Sequence, residues 1–166
     1  MKEFTVKKPQ SITGYPVHQA VAALTQGAPH LWRDNGETLT IRTAAQLDAE
    51  GSDLPEVQLG ELRMFNLRAC VGSKVRGRHV YPPRGDHAAR QAWLGRQGLR
   101  HGFEVVAVHC TSNMARVADQ SSRSFTLDAT DFTGVLKVTN MAAFQNALRA
   151  GVGATGKAFG FSLLSV

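Results

Sequence analysis

Asn35-Gly36, set between His30-Leu-Trp-Arg33 and Glu37-Thr-Leu-Thr-Ile-Arg42, constrains the fold of this chain more than any other feature. Asn-Gly accepts the positive φ that a tight hairpin turn needs, and the runs on either side carry the residue types of paired strands. The segment before it reads as a helix from Tyr15 to Gln26. There Val17, Val21, Ala22 and Leu24 recur at helical spacing, and Gly27 with Pro29 ends the pattern. Residues 2–8 are a short mixed run, expected as an edge strand. Residues 44–56, polar and rich in Asp, Glu, Gly and Pro, suit a connector, and a domain boundary is expected there.

From Val57 to Val71 an apolar run reads as one long strand, bent at Gly60, and residues 72–85 form a basic loop or hairpin interrupted by Pro82-Pro83. Asp86 can cap a helix running to about Arg100, with Ala89, Trp93, Leu94 and Gln97 on its apolar face and Arg90, Arg96 and Arg100 largely off it. Phe103–Cys110 is a buried strand, Phe125–Ala129 and Phe132–Thr139 a strand pair, Met141–Ala150 an amphipathic helix and Phe159–Val166 a final strand. This half therefore runs strand, helix, strand, strand, helix, strand, the ferredoxin-like order, and the first half is a truncated copy of it. The expected fold is α+β: two tandem ferredoxin-like (RRM-like) domains, a shortened one over 1–56 and a second over 57–166.

Several function classes are excluded early. No apolar run reaches the ~18 residues needed to cross a bilayer, and Met1-Lys-Glu-Phe4 lacks the apolar stretch of a signal peptide. A soluble cytoplasmic protein is expected, with no membrane partner. Cys70 and Cys110 have no CxxC or HxxxH companion, so both are read as buried thiols, and no metal or cofactor is expected.

Charge is concentrated in one segment. Between Glu61 and His101 lie Arg63, Arg68, Lys74, Arg76, Arg78, Arg84, Arg90, Arg96 and Arg100 against only Glu61 and Asp86, whereas the rest of the chain has ten basic and eleven acidic side chains. The whole basic excess thus belongs to one stretch dominated by Arg, the side chain that forks onto phosphate. A polyanion site, nucleic acid first, is the expected partner, and an ordinary solvated basic face is the alternative.

Gly151-Val-Gly-Ala-Thr-Gly156-Lys157-Ala158 has P-loop spacing, but Ala158 replaces the Ser or Thr that would hold magnesium, and a helix precedes the glycines where a P-loop has a strand. An NTPase is rejected. Glycines that let backbone amides approach a phosphate, followed by Lys157, remain an anion-binding pattern, with a tight helix-to-strand turn as the alternative. From Gly151 through Gly153, Gly156 and Lys157-Ala-Phe-Gly-Phe-Ser162-Leu-Leu164, the tail resembles the C-terminal signature of the CRISPR repeat-processing endoribonucleases of the CasE branch. Leu136-Lys-Val-Thr-Asn140 with Phe144 and Ala147-Leu148, and Trp93-Leu94 with His101-Gly-Phe-Glu104, continue the resemblance over residues 86–166. The chain departs from the signature with Ser162 in place of a glycine, one extra loop residue and a shortened N-terminal half.

The resemblance implies a protein that binds a CRISPR repeat hairpin, cuts precursor crRNA at the hairpin base without a metal, and stays with its product beside other subunits of an effector complex. It also implies an active-site Tyr and His three residues apart at the first helix, where Tyr15-Pro-Val-His18 stands. RNA carries its own nucleophile, the 2′-hydroxyl. A protein that aligns it needs only to move protons and stabilise charge: His18 by proton transfer, Tyr15 by hydrogen bonding and Lys157 by its charge. Gly151, Gly153 and Gly156 join the nine cations as RNA-binding residues. His30, His101 and His109 are read as structural, His79 and His87 as possible RNA contacts, Tyr81 and Trp93 as base-stacking candidates with Trp93 more at home in the core. A non-catalytic RNA-binding subunit of the same fold is the alternative; a ribosome-associated or DNA-binding module accounts for the charge but not for the tail.

Overall fold

In the N-terminal half, β1 (Lys2–Lys7), α1 (Tyr15–Leu24), β2 (His30–Asp34), β3 (Thr38–Thr43) and β4 (Gly51–Asp53) follow the expected order with one addition, β4. The structure is a computed structural model describing residues 1–9, 12–118, 121 and 123–166, with the side chains of residues 73–75 and 79 outside that description. The first sheet has the order β2-β3-β1-β4, every neighbour antiparallel. β1 is therefore an inner strand and not the expected edge. Its second neighbour, β4, arises within residues read as a connector, where Gly51 lets the backbone close over the ring of Phe4. Residues 44–50 hold no helix, so this half has one helix on its sheet. α1 presses Val17 and Val21 onto Phe4, Trp32, Leu39, Ile41 and Leu47, while Leu24 at its end is 48% exposed.

The second sheet repeats the arrangement. β5 (Leu62–Ala69), α2 (His87–His101), β8 (Phe103–Ala118), β9 (Ser124–Val138), α3 (Met141–Ala150) and β10 (Leu164–Ser165) give the order β10-β5-β9-β8. Between β5 and α2 lies the basic hairpin β6 (Ser73–Val75) and β7 (Arg78–Val80). Both sheets thus place their first strand between their third and fourth, the ferredoxin-like arrangement the element order called for. Asp86 caps α2 as expected, accepting from the Ala89 amide at 2.9 Å, and Asn140 caps α3 in the same way, accepting from the Ala143 amide at 3.0 Å.

Three expectations in this half change. The strand expected from Val57 starts only at Leu62, because Gly60 at φ 81° turns the chain and leaves Val57 to pack in the second core. The expected strand pair at 125–139 is a single strand, β9, paired with β8 from Phe103 to Ala118. Asp131, in the interval between the two expected strands, faces Arg68 across the ladder and is held bidentate at 2.7 and 2.8 Å. At the C-terminus only Leu164–Ser165 pairs; Lys157–Phe159 forms a 3-10 turn.

The two halves meet along this tail. Arg42, 2% exposed, donates to the carbonyls of Leu148 (2.5 Å) and Leu164 (3.0 Å) while its other nitrogens hold Glu3. Arg33 donates to the carbonyls of Leu163 and Asn66. Two inward arginines of the first sheet therefore fasten the chain end whose β10 completes the second.

Candidate active site

Tyr15 and His18 owe their proximity to α1: a three-residue step places both at its start, one turn apart. Their ring centroids are 5.4 Å apart. Tertiary packing then adds two rings. Phe159, on the 3-10 turn of the glycine-rich tail, lies 6.4 Å from Tyr15 and edge-on to Phe125 of β9 at 5.6 Å. His30, at the start of β2, stands 5.7 Å from His18. The first turn of α1 contains no acidic residue and its cap, Gly14, offers no side chain to the helix amides. The positive end of the helix therefore lies at Tyr15, a setting that favours an anion there, while His30 meets the other end of α1 at Thr25. His18 is held below the usual histidine range, first by burial and then by the charge of His30.

The turn carrying Phe159 is fixed by close approach at its glycines. A Cβ on Gly156 would lie 2.4 Å from the Phe161 ring, and one on Gly151 2.8 Å from the Ser162 carbonyl, both at positive φ. These two expected RNA-binding glycines are thus explained by packing. Gly153 lines a cleft of about 480 Å³ together with Gln97, Arg100, His101, Thr155 and Lys157. The Lys157 ammonium donates to the Ala150 carbonyl at 2.7 Å. His101, expected to be structural, is pushed below the usual range by burial and by Arg100 and Lys157.

The nine cations of the basic stretch separate into distinct groups. Arg76 and Arg78 at the β6–β7 hairpin, Arg84, and Arg96 and Arg100 on α2 are exposed. The side chain of Lys74 lies outside the described residues. Arg63 pairs with Glu61 and Arg68 with Asp131, both partly exposed. Arg90 requires a correction: expected to face RNA, it is 1% exposed, bonded through Nη2 to the fully buried Asp128 and through Nε to Thr130 at 3.1 Å. Trp93 stacks on Phe132 in the core at 6.0 Å. Tyr81 lines a second pocket of about 420 Å³ beside Pro82, Pro83 and Arg96, its phenol pushed up to about 12, chiefly by burial. Both thiols are buried as expected, and burial raises each of them. His87 and His109 are exposed, and the side chain of His79 is outside the described residues. Among the described residues no three His, Cys, Asp or Glu side chains gather as metal ligands, and no helix is long and apolar enough to cross a membrane.

His30 is the residue that sequence reasoning missed. Its nearness to His18 is a tertiary contact, and a histidine beside a hairpin gives no sign of it.

The whole chain superposes on solved structures. CRISPR endoribonuclease Cse3 bound to a 19-nucleotide RNA is similar with a TM-score of 0.83 and 23% identity, covering 99% of each chain. The CRISPR-associated protein Cas6e of Escherichia coli K-12 is similar at 0.80 and 20%, over 99% of this chain and 98% of that one. A chain of a CRISPR RNA-guided surveillance complex is similar at 0.81 and 18%, over 99% and 98%. No curated protein matches by sequence. The sequence model of the family described as CRISPR associated protein matches residues 6–166, and the chain, with its paired ferredoxin-like sheets and its signature tail packed against the first helix, belongs to that family.

Proposed function

We propose that this chain is a crRNA-processing endoribonuclease. It binds the hairpin of a CRISPR repeat RNA, cuts the precursor at the hairpin base and keeps hold of the product within an effector complex in the cytoplasm. One observation carries the reading: the glycine-rich tail sets Phe159 against Tyr15, so the two signatures that the sequence holds about 140 residues apart meet at Tyr15, the neighbour of His18. The structural relatives solved with RNA and within a surveillance complex support the substrate and the partners.

The chemistry follows from RNA itself. The 2′-oxygen attacks the adjacent phosphorus and its proton passes to a base. The P–O5′ bond breaks with its electron pair on O5′, which takes up a proton, leaving a 2′,3′-cyclic phosphate and a 5′-hydroxyl. His18 moves a proton in this exchange, Tyr15 orients the phosphate, and the open end of α1 stabilises its charge. No step calls for a metal ion. Arg76, Arg78, Arg84, Arg96 and Arg100 grip the duplex by backbone and shape, as suits an RNA helix, and Lys157, read from the sequence as the charge-stabilising catalytic group, is assigned to holding phosphate because the cleft it lines is shared with Arg100 and His101 and not with His18. Residues 1–56 and 57–166 are read as the two units, since one core draws on residues 4–49 and the other on Leu54 onward.

The test is cleavage of a CRISPR repeat hairpin RNA. His18→Ala should slow the cut ~10²–10⁴-fold with little change in affinity. A 2′-deoxy nucleotide before the scissile phosphate should block it, and EDTA should not. Cleavage of the deoxy substrate would show that water, not the 2′-hydroxyl, attacks.

A further inference from the structure

An in-line displacement has two proton transfers on opposite sides of one phosphorus, and a single imidazole can serve only one of them at a time. The structure holds a second imidazole at the site. His30 faces His18 with ring centroids 5.7 Å apart, and both residues are half-buried.

Each ring has one nitrogen turned into the protein. The Nδ1 of His30 lies 2.8 Å from the Ala28 carbonyl, which can only accept, so Nδ1 carries the proton. The Thr25 hydroxyl donates to the Val21 carbonyl at 3.0 Å and turns a lone pair to the same Nδ1 at 3.1 Å. Thr25 is itself fully buried, so the ring is fixed from below by the end of α1. Nε2 is then the nitrogen of His30 left to take or give a proton. In His18 it is Nδ1 that is sealed in the protein, without a hydrogen-bond partner among the described residues. Its Nε2 is likewise the free nitrogen. A hydrogen bond from each spans about 3 Å, so a phosphate seated over the pair is within reach of both.

The geometry points to His30 as the second proton-transfer group of this site, acting opposite His18 on the same phosphate. This inference rests on the ribonuclease reading above. As the O2′–P bond forms, one imidazole accepts the 2′-hydroxyl proton. As the P–O5′ bond breaks with its electrons on O5′, the other, entering as imidazolium, gives its proton to that oxygen. Each turnover leaves the pair with the proton on the opposite ring, and exchange with water restores it. Among the described residues, Tyr15 is the titratable group that faces the pair from α1. β3 lays Thr43 beside His30, the tail contributes Phe159, and the Lys157 ammonium is bonded to the Ala150 carbonyl.

His30→Asn is the decisive variant, because the Asn amide can still donate to the Ala28 carbonyl while nothing remains to titrate. In single-turnover cleavage of a CRISPR repeat hairpin RNA, the rate should fall about 10²-fold or more. The pH–rate profile should lose one of its two limbs. A wild-type rate, or a slower rate with both limbs in place, would overturn the inference and return His30 to a structural role. Histidine Cε1–H titration by NMR reads the pair without substrate: His30→Asn should move the His18 titration up toward 6.5, and an unmoved His18 counts against the pairing. If the wild-type protein cleaves none of the hairpins, the ribonuclease reading fails and takes this inference with it. Cleavage that depends on His18 but not on His30 overturns the inference alone.

Discussion

Replacing Arg90 with alanine should damage the fold and leave RNA binding alone. The side chain is 1% exposed and its partner Asp128 is 0% exposed. Removing the guanidinium leaves a buried carboxylate whose remaining side-chain hydrogen bond among the described residues is to the Thr130 hydroxyl at 2.6 Å. Breaking one side of such a pair costs ~3–5 kcal/mol. Arg90 also donates to the carbonyl of Pro83 at 3.0 Å, but that residue is exposed and water can replace the bond. With the Thr130 bond retained, a destabilisation of about 3–4 kcal/mol is expected, which lowers Tm by about 6–16 °C for a chain of this size. Arg90→Met with Asp128→Leu removes both charges and should recover most of that stability, a coupling of about 2–3 kcal/mol. Urea unfolding of the wild type, both single variants and the double variant measures this cycle. RNA affinity, measured at a temperature where each variant is folded, should keep its salt slope. A variant of wild-type stability whose salt slope is reduced would refute the burial argument and put Arg90 back on the RNA.

The exposed cations carry the opposite expectation: Arg76, Arg78, Arg96 and Arg100 changed together to alanine should weaken hairpin binding and flatten its salt dependence by about 0.7–0.9 for each phosphate no longer neutralised, and Lys157→Ala should flatten it by one further phosphate; an unchanged slope in filter binding would make this face ordinary solvated surface. Ser162 holds φ 77° where a glycine sits more easily. That costs a side chain ~1–2 kcal/mol, while glycine loses roughly 0.5–1 kcal/mol in extra chain entropy, so Ser162→Gly should stabilise by about 0.5 kcal/mol and a clear fall in urea midpoint would show that its bond to the Gly153 carbonyl matters more. His18 and His101 both bind protons less readily in the folded chain than at the ordinary 6.5; the unfolded chain therefore takes up the proton first, and their contribution, complete above 6.5, is lost as pH falls below it. The urea midpoint should drop from pH 7 to pH 5, and less so in His18→Gln; an equal drop would assign the effect elsewhere.

Local signals determined much of this protein. Asn35-Gly36 set the first hairpin, the 3.6-residue rhythm set α1 and α3, Asp86 set the start of α2, and Tyr15 and His18 share one end of a helix because three residues make nearly one turn. Arg90 is expected off the apolar face because its charge argues for solvent, although the spacing 90, 93, 94, 97 puts it on the buried stripe of Trp93, Leu94 and Gln97. Its partner, Asp128, lies 38 residues away on another element. The gap expected between Ala129 and Phe132 likewise closes in β9, where the partner of Asp131, Arg68, is not local. β1 was mistaken for an edge because three residues, Gly51–Asp53, add a strand too short to show a period. The seating of the tail against α1 goes with Arg33 and Arg42 holding the backbone of the other half, and that of His30 against His18 with the packing of β2 on α1, where Thr25 and the Ala28 carbonyl hold the His30 ring. Periodicity and capping act within a few residues and are written along the chain; the pairing of charges, the order of strands and the convergence of a site depend on which distant surfaces bury each other, and only the folded chain decides that.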